Sequence, residues 1–189
     1  RPRMGAAPGK SESAASPCLY KRSTRPSSFV SVTMSMRLLA PMNDMTAQSD
    51  YALVTGAAGG VSTEYARELA AAGRNLILVA RREDRLSALA EELRAAHGIE
   101  CQPIIADLNE PDAAAQIRST CVSSGWQVSW LVNNAGVAGP DLLKDRDWAA
   151  QQTFFQLMMQ SGADLCHRMI PDMVEGGYGR VIKVASVAP

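Results

Sequence analysis

Metal-ligating and disulfide-forming residues are scarce in this chain. There are two histidines, His97 and His167, and four cysteines, Cys18, Cys101, Cys121 and Cys166, with no Cys-x-x-Cys pair. That spacing builds no zinc site and no disulfide framework. Four scattered thiols read instead as buried, reduced cysteines of a cytoplasmic protein. Long apolar runs are missing too. The best one, residues 29–39, is interrupted by Arg37 and falls short of the roughly 20 residues that span a bilayer, so no membrane partner is expected.

Formal net charge is also absent, but the zero conceals an uneven distribution. Residues 1–43 hold a single acid, Glu12, and seven of the 19 bases, leaving 18 acids and 12 bases to the rest. A mildly acidic body argues against a nucleic-acid partner. Residues 1–43 are rich in Ser, Pro and Arg with no sustained period, which reads as a disordered leader. An acid-poor, Arg-rich leader resembles an organelle transit peptide. The preferred alternative is upstream sequence translated in frame, since Met42 and Met45 sit close to the first strand. Residues 44–189 then form one domain by the usual length prior, with the ordinary apolar fraction of 47% and charged fraction of 20%.

What is present is a regular alternation. Residues 51–55 read as a short buried strand, residues 56–60 as a glycine turn, and the following residues as an amphipathic helix closing at Gly73. Gly56 permits a turn that a Cβ would obstruct, and Gly60 permits close approach of a phosphate. The helix that follows presents unpaired N–H groups and the positive end of its dipole, which suit an anion. Between strand and helix, such a turn points to a dinucleotide pyrophosphate. Residues 74–80 are apolar at strand length, as suits the interior of a parallel sheet. A helical stripe follows over residues 83–97, ended by Gly98. Strands are expected at 101–106, 128–134 and 180–185, with helices at 112–122 and within 145–175. In that last region Trp148, Phe154, Leu157, Met158, Leu165 and Met169 are the apolar positions, and Met158-Met159 reads as core packing. Trp126 and Trp130 read as packing aromatics, and His167 as a core or surface histidine. The pattern predicts an α/β, doubly wound parallel sheet with right-handed crossovers.

Four segments, in this order and each at the carboxyl end of an expected strand, resemble the short-chain dehydrogenase/reductase family over residues 50–189. They are Thr55-Gly-Ala-Ala-Gly-Gly-Val61, Asp107-Leu108, Asn133-Asn-Ala-Gly136 and Gly179-Arg-Val-Ile-Lys-Val-Ala-Ser186. The resemblance implies a Rossmann-like domain in which Gly56, Gly60 and Val61 line the pyrophosphate and Thr55 braces the turn. Ser62 stands where the family has its third glycine, and either caps the helix or donates to a phosphate, or is a plain N-terminal serine. Asp107 and Leu108 are expected beside the adenine, Asn133 as a strand brace, and Asn134, Ala135 and Gly136 along the cofactor. At the end of the second strand, Ala80 is followed by Arg81-Arg82. An acid there would bind a ribose 2′-hydroxyl, whereas two guanidiniums suit a 2′-phosphate, so NADP(H) is expected over NAD(H).

The resemblance further implies hydride transfer between that cofactor and a small-molecule carbonyl or alcohol. Ser186 would be the catalytic serine that orients the substrate oxygen. The family's Tyr-x-x-x-Lys would follow it and does not occur in these 189 residues. Tyr178 and Lys183 do not replace that pair, because five steps along a strand point to opposite faces. Met158 falls where the family places an asparagine, and Lys183 lies unexpectedly in an apolar strand. The chain therefore reads as an oxidoreductase interrupted after its fifth strand, inactive alone, its full-length form a homo-oligomer. The alternative is a non-catalytic NADP(H)-binding module, and a Tyr-x-x-x-Lys in the reading frame past Pro189 would separate the two.

Overall fold

The computed structural model describes residues 50–141, 144 and 146–185. The leader assigned to residues 1–43 and the expected catalytic Ser186 lie outside them. Among the described residues five strands and five α-helices follow one another in the order β1 (Asp50–Thr55), α1 (Val61–Ala71), β2 (Asn75–Ala80), α2 (Glu83–His97), β3 (Cys101–Ile105), α3 (Ala113–Ser123), β4 (Gln127–Asn133), α4 (Trp148–Phe155), α5 (Ser161–Glu175) and β5 (Arg180–Lys183). A single π-helical turn, Gln156–Gln160, joins α4 to α5. The strands form one parallel sheet in the order β3-β2-β1-β4-β5. The order reverses direction between β1 and β4, which places a crevice at their carboxyl ends.

The apolar runs explain the layering. The interior residues of β2, Leu76 to Val79, are all fully buried, as are Leu53 and Val54 of β1. Successive side chains of a strand face opposite ways. Thus Ala52, Val54, Leu76, Leu78, Trp130 and Val132 pack with α1 and α2. Leu53, Ile77, Val79 and Leu131 pack with α3 and α5 on the other face. Helix α2 has the boundaries its stripe predicts and ends on Gly98 with φ +67°, a left-handed cap that glycine adopts without a Cβ penalty.

Several details depart from expectation. The long helical region begins only at Trp148, after Asp147, whose side chain accepts from Ala149 N at 2.9 Å. Trp148 is 63% exposed, so it is not a core position, and the pairing of Met158 with Met159 as core is also wrong, since Met159 is 64% exposed. The π turn rotates the helix by an extra residue and so redirects both faces around it. Strand β2 starts one residue late: Arg74 N donates back to Leu69 O of α1 at 3.1 Å, and its guanidinium lies over the Trp130 ring, 4.5 Å from the centroid. Trp130 is buried, and Trp126 stacks on Tyr51 with ring centroids 5.8 Å apart, so both tryptophans pack as expected. His167 is exposed.

Burial pushes the thiol of Cys101 up to about 12 and that of Cys121 up to about 11, so neither is a thiolate near neutral pH. Among the described residues no helix is long and apolar enough to cross a membrane, and no cluster of His, Cys, Asp or Glu is arranged to hold a metal ion.

Leu131 is wholly buried and Val122 is 58% exposed. Leu131→Ala is therefore expected to lower the unfolding free energy by about 2–5 kcal/mol, and Val122→Ala by less than about 0.5 kcal/mol, both read from urea denaturation midpoints.

Candidate functional site

The glycine turn sits at the carboxyl end of β1, at the crevice. Gly56 and Gly60 both have positive φ, +72° and +66°. A Cβ on Gly56 would come within 2.9 Å of Ala135 Cα, whereas one on Gly60 would meet nothing within 4 Å. Gly56 thus lets two backbones close on each other, and Gly60 leaves open space at the start of α1. No side chain caps that helix, and the first N–H groups of any helix have no intrahelical partner.

The carbonyls of the turn are all occupied. Ser62 Oγ, buried, lies 2.5 Å from Gly56 O and 2.9 Å from Gly59 O, and its one proton is shared between the two carbonyls. Thr63 Oγ1 donates to Ala57 O at 3.1 Å, and Arg82 Nη2 donates to Ala58 O at 2.9 Å. Four consecutive acceptors that would repel an anion are thereby met by three of the protein's own donors. Ser62 neither caps α1 nor faces the crevice. Its hydroxyl is spent holding the turn from below, a role that a third glycine has no atom to fill.

Thr55 works on the neighbouring strand. Its buried Oγ1 accepts from Asn134 N and Ala135 N, both at 3.1 Å, and donates to Val132 O at 3.3 Å. One hydroxyl thus ties the ends of β1 and β4 and sets the path of residues 134–136. Asn133 is buried and donates through Nδ2 to Gly162 O at 3.3 Å, bracing β4 against α5. Met158 is only half-buried. Its sulfur accepts from Val137 N at 3.4 Å and would lie 3.0 Å from a Cβ on Gly136, so it shapes the loop after β4 rather than filling core. Lys183 reaches across to the π turn, with Nζ 3.5 Å from Met158 O and 3.1 Å from where a Cβ on Gly162 would be. Tyr178 packs instead with the cluster around Trp130, on the opposite face.

These pieces surround a cleft of about 880 Å³. Gly56 and Gly60 form one part of its wall, Ala135 and Gly136 another, and Arg81, Arg82, Asp107 and Leu108 a third. Thr55, Val61, Ser62 and Asn134 do not line it. Thr55 and Ser62 act through the backbone they hold, and Leu108 is nearly buried beneath the floor. Arg81 Nη1 is 3.7 Å from Asp107 Oδ2. The other oxygen of Asp107 accepts from Asn109 N at 3.0 Å and Asn109 Nδ2 at 2.8 Å. Sequence reasoning missed Arg85 and Leu157, which also line the cleft. The signal for Arg85 was its place three residues after Arg82, on the same side of the helix start. A second cavity, of about 610 Å³, lies at the amino end of the sheet among Asp50, Arg118 and Trp126 and shares no residue with the turn.

Comparison with known proteins agrees with this fold. The family model for short chain dehydrogenase matches residues 50–189. Sulfoacetaldehyde reductase 2 of Chromohalobacter salexigens is 34% identical over 142 residues, which are 74% of this chain and 56% of that protein. L-Sorbose reductase of Gluconobacter frateurii, solved with NADPH and L-sorbose, superposes with a TM-score of 0.69 at 28% identity, over 76% of this chain and 55% of that one. A metagenomic short-chain oxidoreductase solved with NADP gives a TM-score of 0.68 at 30% identity, over 75% of this chain and 64% of that one. The chain spans about half the length of the curated relatives it matches.

Ser62→Ala removes the donor shared by Gly56 O and Gly59 O in a buried place. It is expected to cost about 1–3 kcal/mol of stability, measured by chemical denaturation, and to speed hydrogen exchange at residues 56–60. Unchanged exchange there would show that the turn holds itself.

Proposed function

Because the chain belongs to the short-chain dehydrogenase family, we propose that residues 50–189 are the cofactor-binding part of an NADP(H)-dependent oxidoreductase acting on a small carbonyl or alcohol. One observation carries the reading: a glycine turn whose carbonyls are engaged by Ser62, Thr63 and Arg82, open at Gly60, and facing a cleft walled by arginines. Those features fit a diphosphate. The turn withdraws negative atoms, the start of α1 supplies N–H donors, and the dipole favours the anion. Bound NADP(H) supplies hydride chemistry at its nicotinamide.

The chain's own residues bind and orient. Gly56, Gly60 and Val61 hold the diphosphate by backbone, and Thr55 and Ser62 keep that backbone in place. Asp107 and Leu108 border the adenine. Asn134, Ala135 and Gly136 carry the strand end past the nicotinamide half, with Asn133 bracing them from α5. Arg81 and Arg82 place positive charge where a 2′-phosphate distinguishes NADP from NAD, which suits the NADP and NADPH complexes of the structural neighbours. Ser186 orients the substrate oxygen by hydrogen bond. No Tyr-x-x-x-Lys occurs in the sequence, so these residues supply no tyrosine proton donor of the family's kind. The reading for residues 1–189 is binding without turnover.

A second reading, a non-catalytic NADP(H) module, draws on Met158. The resemblance calls for an asparagine there, and the sulfur is instead turned onto Val137 N and Gly136. A thioether cannot hold a water by an amide's hydrogen bonds.

The purified 189-residue chain is expected to bind NADPH at least about tenfold more tightly than NADH, a difference of about 1.4 kcal/mol, by titration of nicotinamide fluorescence. It is also expected to consume no NADPH with a panel of aldehydes and ketones. Tighter binding of NADH reverses the cofactor assignment, and steady turnover overturns the reading of these residues as a binding unit.

A further inference from the structure

The π turn between α4 and α5 is held from two sides. Ser161 N donates back to Gln156 O, and its buried hydroxyl donates to Leu157 O at 2.7 Å. The next carbonyl, Met158 O, is met from β5 by Lys183 Nζ at 3.5 Å. Three consecutive carbonyls of the turn thus have a partner in Ser161 or Lys183. Room for the ammonium comes from Gly162, where a Cβ would lie 3.1 Å from Nζ. The Met158 side chain leaves this turn toward the loop after β4. Its sulfur accepts from Val137 N at 3.4 Å and, with Cε, lies 3.0 and 3.3 Å from where a Cβ on Gly136 would be. Gly136 and Val137 line the cleft, whereas Met158 and Lys183 do not.

We propose that Lys183 is a positioning residue that acts through Met158. By holding the Met158 carbonyl it fixes the π turn, and through the Met158 sulfur it sets residues 136–137 against the nicotinamide half of bound NADP(H), a role that rests on the proposed NADP(H) reading. The extra residue of a π turn rotates the side chains beyond it by about 100° relative to those before it, so the aim of Met158 depends on the turn being kept. A thioether on three rotatable bonds is flexible and a weak acceptor. It can direct a loop only while the backbone beneath it is fixed. An ammonium suits that task, because it offers three donors and no acceptor, and a hydrogen bond from a charged donor is stronger than one from a neutral group. The lysine in an otherwise apolar strand thereby gains a purpose, and β5 is linked to the cleft without lining it.

Calorimetric titration of the full chain with NADPH, and with adenosine 2′,5′-bisphosphate, which lacks the nicotinamide half, tests this without turnover. Lys183→Met is expected to weaken NADPH by about fivefold, the scale of one lost hydrogen bond, and to leave the bisphosphate within about twofold. Gly162→Ala favours the helix but sets a Cβ against Nζ, so it should reproduce that selective loss in a chain at least as stable. Met158→Ala should also weaken NADPH selectively. Because the lysine acts through the methionine, adding Lys183→Met to Met158→Ala should cost nothing further. In Lys183→Met the NMR resonances of the Met158 methyl and the Val137 amide should both move. Melting temperatures establish that each variant is folded. Unchanged NADPH binding in Lys183→Met and Gly162→Ala, equal loss for both ligands, or a loss that adds to that of Met158→Ala overturns the inference and leaves the cofactor reading standing. If the unsubstituted chain binds neither ligand, both are overturned.

Discussion

The structure depends on where the carbonyls of one tight turn go. Between β1 and α1 the chain reverses in five residues, and a reversal that tight leaves peptide oxygens without a regular partner. Unsatisfied, they would cost stability and make the crevice repel anions. Ser62, Thr63 and Arg82 take them up. Two of these donors come from the first turn of α1 itself, so the helix that offers its dipole to a ligand also secures the loop that presents it. The third comes from the start of α2, which couples the turn to the end of β2. Polarity is sorted by this arrangement: the oxygens are engaged, and the open glycine and the helix start are left facing the cleft.

A second tie aligns the other wall of the crevice. The Thr55 hydroxyl accepts two N–H groups from the residues after β4 and donates to Val132 O, while Gly56 allows Ala135 to approach within a distance no Cβ would tolerate. Because paired residues of β1 and β4 are neighbours in the sheet yet 77 or 78 residues apart in the chain, only the crossover through α1, β2, α2, β3 and α3 brings these groups together. The cleft lies where the strand order reverses, at the carboxyl edge of the sheet.

Much of the architecture was legible before the fold was seen. The apolar runs at β1, β2 and β4 are long enough for strands and too short for helices, and each is followed by a glycine or charge that stops it. The stripe of Leu86, Leu89, Ala90 and Leu93 defines α2 to the residue. Less legible was the region of residues 145–175. Its composition is helical, but the π turn is a local insertion that periodicity averages over, and it moves Met159 to the surface and Met158 onto Gly136. Arg85 escaped notice for a different reason: charge on a helix start is ordinary, and only the fold shows that it lines the cleft.

The residue order by itself determined the alternation of strand and helix, the places where only glycine can turn the chain, and the residue types available to meet a phosphate, since backbone sterics and apolar periodicity act over a few residues at a time. Tertiary structure alone decided what each polar group does. Whether Ser62 caps, binds or braces, whether Arg82 reaches solvent or holds the turn, and whether Met158 packs or shapes a loop are questions about partners 3 to 25 residues away or further. A hydrogen bond spends its donor on whichever acceptor the folded chain brings within reach, and that choice is made in three dimensions.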